Sequence, residues 1–287
     1  MRNAFLIHLP QWAWILVPDY SVMLVISMAI GCWVISGKAR SDGWTRGRAL
    51  LILVPALVVA MAGAKIGYLL QYDPRSIYTR PLDSLLVAGG YSLFGAMVAV
   101  ALFGLLCIHP TNLSLGLFAD ATGYGLMLML CLIRFGCFMS GCNYGSVTSL
   151  PWGLRFPAGS PAFNRHVALG LISPDVSWSL PVHPTQLYES ALGLGLFWLA
   201  RDLWPRRKFN GQLYIIVCVI YTVFRFFLEL VRDDAGGIAF GPLTFAQVTC
   251  LALLALLALG YWNAVRWKLL FSPPRLVRAR EERKASS

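Results

Sequence analysis

Seven stretches of this chain are long, apolar and nearly free of charge: residues 16–36, 49–70, 87–108, 114–139, 184–204, 211–231 and 242–265. A helix crossing the hydrocarbon core of a bilayer needs about 20 such residues. Within lipid every backbone N–H and C=O must be satisfied inside the helix itself. The pattern predicts an all-α integral membrane protein of about seven transmembrane helices. Composition agrees, because 13% of the 287 residues are charged where a soluble domain carries about 25%. Mean hydropathy is +0.65.

Lys and Arg between the spans set the orientation. Fifteen of the 24 fall in the first, third and fifth connections and the tail; six fall on the other side. The N-terminus is therefore expected to be periplasmic and the C-terminus cytoplasmic. The whole of 1–287 reads as one transmembrane domain, with a periplasmic loop at 140–182 and a basic cytoplasmic tail at 267–287. That tail reads as an anchor near anionic headgroups. No cleavable signal peptide stands out, and the first apolar helix is expected to remain as an anchor. The 140–182 loop is rich in Pro, Gly and Ser, with one short helix expected near 165–171. The fourth span is long enough to tilt, or to end in a re-entrant turn. The net charge of +11 is spread between apolar runs instead of gathered in one basic domain, which argues against nucleic-acid binding.

Charges inside the apolar runs carry the functional signal. An arginine at the centre of a membrane helix costs on the order of 3 kcal/mol, so it should face a wet cavity or a counter-ion. Arg134 ends the run Leu126–Ile133, and Arg225 lies within the sixth span. Helical spacing puts Tyr221, Arg225 and Glu229 on one face, with Arg232 beside them. Arg225 and Glu229 could simply neutralise one another. A second arginine on another helix favours two guanidinium forks clamping one phosphate, and in a membrane the abundant phosphate is the lipid headgroup. Asp120, about 21 Å along the helix from Arg134, is free to cap a helix or to neutralise Lys65 or Arg225. The glycines around Lys65 read as close helix packing.

Residues 183–189, His-Pro-Thr-Gln-Leu-Tyr-Glu, open the fifth span. A polar cluster at the mouth of an apolar helix is costly to desolvate. His183 is a general base by residue type, or a structural residue ahead of Pro184 at the first helical position. Gln186 and Glu189 belong to the same wall. Of seven cysteines, Cys137 and Cys142 stand apart near Arg134. Three readings stay open for them: a disulfide, a nucleophile pair, or inert packed thiols. Two sulfurs fall short of a four-ligand metal site, so neither a metal nor an organic cofactor is expected.

Together these motifs resemble the prolipoprotein diacylglyceryl transferases, from about Tyr20 to Arg232. Residues 183–189 look like that family's His-Pro-Ser-Gln-Leu-Tyr-Glu element; Arg134, Gly136 and Gly145 look like its arginine–glycine signature; Tyr221, Arg225, Glu229 and Arg232 fit its last polar helix. The resemblance implies a bacterial inner-membrane enzyme moving diacylglyceryl from phosphatidylglycerol to the thiol of a lipobox cysteine; the alternatives are a phosphatidylglycerol-dependent transferase with another periplasmic acceptor and a non-catalytic phospholipid-binding membrane protein. It implies catalytic roles for His183, Arg225, Glu229 and Tyr20, and substrate contacts for Arg134, Gly136, Gly145, Gln186, Tyr188 and Tyr221. The chain departs from the family at Cys137 and Cys142, where relatives have asparagine and glutamate, and at Phe94, where they have histidine.

Overall fold

A computed structural model describes residues 20–40, 45–72, 74–80, 84, 93–108, 115–233, 238–240 and 242–267. The helices are α1 (Tyr20–Arg40), α2 (Arg46–Tyr72), the short α3 (Pro74–Thr79), α4 (Leu93–Ile108), α5 (Leu115–Ser140), the short α6 (Pro161–Ala168), α7 (Thr185–Leu203), α8 (Gln212–Leu228) and α9 (Phe245–Trp267). Each of the seven apolar stretches is helical over most of its described part, the last one after a turn and the short strand Leu243–Thr244. Five of the helices are long and apolar enough to cross a bilayer. Of the other two, α4 has 16 described residues, and α7 carries Glu189, Arg201 and Asp202. Their outer faces are apolar and uncovered, as at Leu51 (75% exposed) and Leu106 (76%). Surface of that kind, on long apolar helices, is a face for lipid, so the chain is a multi-pass membrane protein. The basic tail lies outside the described residues, as do Gly89, Gly90 and the side chain of Phe94.

Small residues let these helices approach one another. At Gly63 of α2 an added Cβ would sit 2.7 Å from the Gly95 carbonyl oxygen of α4, so the glycines around Lys65 serve packing. The long helix α5 touches α1, α7 and α8. A Cβ at Gly193 of α7 would meet the Met127 carbonyl oxygen of α5 at 2.8 Å. Around α5 the core comprises Ile35, Leu117, Tyr124, Met127, Leu196, Trp204, Leu213 and Val217, among others.

One end of α5 is fixed by Asp120. Its Oδ2 accepts from Gly211 N–H at 2.9 Å and its Oδ1 from Tyr214 N–H at 3.0 Å. These N–H groups lie at the start of α8, where a helix has unsatisfied donors and a carboxylate is favoured. Asp120 therefore caps a helix, from a position 91 residues away in sequence. Its cation is Arg207 at 3.4 Å, not Lys65 or Arg225. Lys38 of α1 stacks over Tyr124 and Trp204, and Arg207 also lies over Trp204. The connections after α1 and after α7 thus share one end of the bundle.

At the other end, α5 runs unbroken to Ser140, without a re-entrant turn. Its close is a Schellman motif: Cys142 N–H bonds the Cys137 carbonyl (3.2 Å) and Gly141 N–H bonds that of Phe138 (3.2 Å). Gly141 sits at φ +70°, the left-handed region that this C′ position requires. The following segment is a compact cap, not a bare loop. Residues 147 and 154 both pair with Val182, and Pro157 with Trp178. Tyr144, Phe156, Ala162 and Val182 fill its centre with Phe138. Its helix lies at Pro161–Ala168, earlier than 165–171, because Ser160 caps it by accepting from Phe163 N–H and proline follows at the first turn. Gly170, at φ +68°, lies just past its end. His166 is buried in the cap, where its Nδ1 accepts from Leu180 N–H at 3.2 Å; burial lowers its pKa and keeps it neutral.

Replacing Asp120 by Ala strands the buried Arg207 guanidinium and frees two N–H groups of α8. Breaking such a pair costs about 3–5 kcal/mol, so the thermal unfolding midpoint in detergent should fall. The double variant Asp120→Ala/Arg207→Met should recover part of the loss. An unchanged midpoint for the single variant would show that this end is held by other contacts.

Candidate active site

The site lies at the Arg134 end of α5, where α7 and α8 converge beneath the cap. Its centre is Glu189, with no exposed surface. Helix α7 presents Glu189 inward, one turn after Thr185, which is also buried. Arg134 Nε of α5 lies 3.0 Å from Glu189 Oε2. The two are misaligned for a hydrogen bond, so charge holds this pair. From α8, Tyr221 donates to Glu189 Oε1 at 3.4 Å. Arg232, just beyond α8, approaches Glu189 Oε2 to 3.9 Å.

A second carboxylate completes the cluster. Arg225 Nη1 bonds Glu229 Oε2 at 2.5 Å across one helical turn. Thr244 donates to Glu229 Oε1 at 3.0 Å, and Arg232 Nε lies 4.0 Å from Glu229 Oε2. Arg232 thus reaches both carboxylates. The internal Arg225–Glu229 pair read from the spacing is present, and it is joined to Arg134 through Arg232 and Glu189.

Three guanidinium groups face two carboxylates, which leaves one positive charge. The side chains of Arg134 and Arg225 keep 18% and 17% of their surface exposed, while those of Glu189 and Glu229 keep 0% and 2%. The carboxylates are sealed behind and the cations remain reachable. Such an arrangement favours an anion that can accept several N–H donors at once.

The residues after α5 are tied to this cluster by Asn143, at φ 56°. Its Oδ1 accepts from Arg232 at 3.0 Å. Arginine only donates, which fixes the amide nitrogen toward the two sulfurs: Nδ2 lies 3.5 Å from Cys137 Sγ and 3.4 Å from Cys142 Sγ. Thr185 donates to the Asn143 carbonyl at 2.7 Å, and Gln186 Nε2 to that of Cys142 at 2.7 Å. The Schellman motif explains why the cysteines meet, because it packs the side chain of C3 (Cys137) against that of C″ (Cys142). Both thiols are free. Contact with Cys137, and then burial, push the Cys142 thiol up.

His183 lies at the edge of the cluster. Tyr188 Oη is 3.4 Å from His183 Nδ1 and accepts from Trp152 Nε1 at 2.8 Å. An indole N–H only donates. The Tyr188 hydroxyl thus joins Trp152 to His183, in a direction set by the His183 tautomer.

Gly145 is a crossing point rather than an open ligand position. Its N–H bonds the His183 carbonyl at 2.9 Å, and a Cβ there would meet the Val231 carbonyl oxygen at 2.5 Å. Gly136 is buried in α5, its carbonyl accepting from Ser140. Pro184 precedes α7 as its N-cap instead of opening it. The side chain of Tyr20 lies outside the described residues. Among the described residues no group of His, Cys, Asp or Glu has the makings of a metal site. Asn143, Trp152, Thr185 and Thr244 are partners that sequence reasoning missed. Asn143 alone left a signal, as a residue tolerant of positive φ just past a helix-ending glycine.

The family model for prolipoprotein diacylglyceryl transferase matches residues 8–263. Relatives named phosphatidylglycerol–prolipoprotein diacylglyceryl transferase include one from Nitratidesulfovibrio vulgaris, 31% identical over 255 residues, covering 85% of this chain and 87% of the relative. Another, from Solidesulfovibrio magneticus, is 30% identical over 256 residues, covering 86% and 89%. A third, from Aeromonas hydrophila, is 27% identical over 258 residues, covering 88% of each. The chain belongs to the prolipoprotein diacylglyceryl transferase family.

Proposed function

We propose that this chain is an enzyme that transfers diacylglyceryl from phosphatidylglycerol to an acceptor thiol, that of a lipobox cysteine in a prolipoprotein. The observation that carries this reading is the excess guanidinium charge of Arg134, Arg225 and Arg232 over Glu189 and Glu229, with Arg134 and Arg225 reachable and the carboxylates sealed. The seven helices then all span a bacterial inner membrane. The cap at 140–182 and the site lie on the periplasmic side, and Lys38, Arg201 and Arg207 on the cytoplasmic side, as the distribution of positive charge favours.

In the reaction the acceptor sulfur attacks C3 of the diacylglyceryl group. A carbon–sulfur bond forms, the C3–O bond breaks, and glycerol phosphate leaves with the electron pair. Arg134 and Arg225 hold the phosphate and meet the charge that develops on the leaving oxygen, in surroundings where such donors count for more than in water. Glu189 and Glu229 keep the guanidinium groups in place. Tyr221, between Glu189 and the arginines, and His183 lie at the edge of the same space. Tyr20, at the start of α1, is assigned to the site by resemblance alone.

Purified protein given phosphatidylglycerol and a lipobox peptide should release glycerol phosphate in step with the appearance of a thioether-linked diacylglyceryl peptide. Release only with another periplasmic acceptor would reassign the acceptor; no release with any acceptor would overturn the enzyme reading. Arg134→Ala and Arg225→Ala should each lower turnover by about 100-fold or more, the loss seen when a single charge-stabilising donor is removed, and full activity in either would remove the clamp. For the orientation, Arg165→Cys should react with an impermeant maleimide on intact spheroplasts, and Lys208→Cys only after permeabilisation. The reverse pattern would invert the topology.

A further inference from the structure

A thiol attacks carbon as its thiolate, so the proposed reaction needs a proton acceptor near the incoming sulfur. The obvious bases of the site are occupied. Glu189 is held by Arg134, Arg232 and Tyr221, and Glu229 by Arg225 and Thr244. Taking a proton would dissolve the ion pairs that neutralise these buried charges. His183 Nδ1 is engaged by the Tyr188 hydroxyl. The cysteine pair remains. Cys142 is half-buried and Cys137 buried, the Cys142 S–H donates to the Cys137 carbonyl at 3.7 Å, and the Asn143 amide donates to both sulfurs.

We propose that the Cys137–Cys142 pair is the proton acceptor for the incoming thiol, an inference that rests on the function proposed above. The two thiols work as one unit. With one proton gone, the remaining S–H and the Asn143 amide both donate to the bare sulfur. This monoanion takes the proton of the acceptor thiol and is again a neutral dithiol. The acceptor thiolate then bonds C3 as the C3–O bond breaks, and the proton leaves to water once product departs. Proton exchange between two thiols is close to balanced in energy, which suits general-base catalysis. A covalent role fails on chemistry, because attack by either cysteine on C3 would give a thioether whose thiolate is a poor leaving group from saturated carbon. The charged and titratable neighbours are Arg134 one turn earlier on α5, Glu189 on α7, Tyr221 on α8, and Arg232 through Asn143.

The test compares reduced wild-type protein with Cys142→Ser and Cys137→Ser/Cys142→Ser. The readouts are glycerol phosphate release with a thiol peptide across pH, and protection of the fold by phosphatidylglycerol in thermal unfolding. At neutral pH the double variant should turn over at least about 100-fold more slowly, the usual size of a general-base contribution. Its KM for phosphatidylglycerol and its thermal protection should stay near wild type. Its rate should climb with pH until the peptide thiol ionises unaided, a rescue that a merely structural defect would not give. A double variant with the wild-type rate and pH profile overturns the inference and leaves the function standing. Cysteines that resist alkylation until dithiothreitol is added, in protein that is turning over, overturn it too, as a disulfide. Wild-type protein inert toward every thiol removes the reaction, and the proton acceptor with it.

Discussion

A carboxylate with no exposed surface, inside an apolar bundle, has to be surrounded by donors. Glu189 meets that demand with groups from three parts of the chain: Arg134 on α5, Tyr221 on α8 and Arg232 beyond α8. The alternative, an ion left unpaired in a low-dielectric setting, is costly enough that the three elements must converge. The cap follows from the same convergence. Arg232 holds Asn143, Thr185 holds the Asn143 backbone, and Gln186 holds that of Cys142. One buried charge thereby orders the wall of the site.

The two ends of α5 use the same chemistry for opposite purposes. At Asp120 one carboxylate meets one guanidinium and two backbone N–H groups, all buried. The result is a capped helix. At Arg134 the cations outnumber the carboxylates and keep part of their surface in reach. Stability comes from the balanced end, and the capacity to bind an anion from the unbalanced one. About 21 Å of helix separates them, so each can be altered without disturbing the other's partners.

How far all this could be read from the sequence depends on the range of each interaction. Apolar runs report helices because burial in lipid is a property of each segment, and all seven stretches are mostly helical over their described residues. The Arg225–Glu229 pair was legible because one turn of helix separates its members. Arg134 and Glu189 were both visible as costly polar residues, but their meeting joins positions 55 apart on different helices, and nothing local encodes it. Asp120 reaching the start of α8, and Trp152 reaching Tyr188, are hidden for the same reason. The cap was read as a loop because its pairings are isolated bridges too short to leave a period-2 pattern. Its helix begins earlier than 165–171 because Ser160 caps it and Pro161 opens it. The contact between Cys137 and Cys142 was accessible in principle: a glycine just before the second cysteine marks the C′ position that brings C3 and C″ together.

That contact also bears on why thiols stand beside three arginines. A third carboxylate in their place would supply a proton acceptor, but also a permanent negative charge. The site would then hold three cations and three anions, and the new carboxylate would compete with a phosphate for the same guanidinium forks. A thiol pair is neutral once it has taken the incoming proton. It can give up a proton, accept one back from an incoming thiol, and leave the surplus positive charge to the leaving phosphate. Asn143 links the two requirements, since one end of its amide faces the sulfurs and the other is held by Arg232. The residue that prepares the sulfurs is thus positioned by an arginine that belongs to the charge cluster.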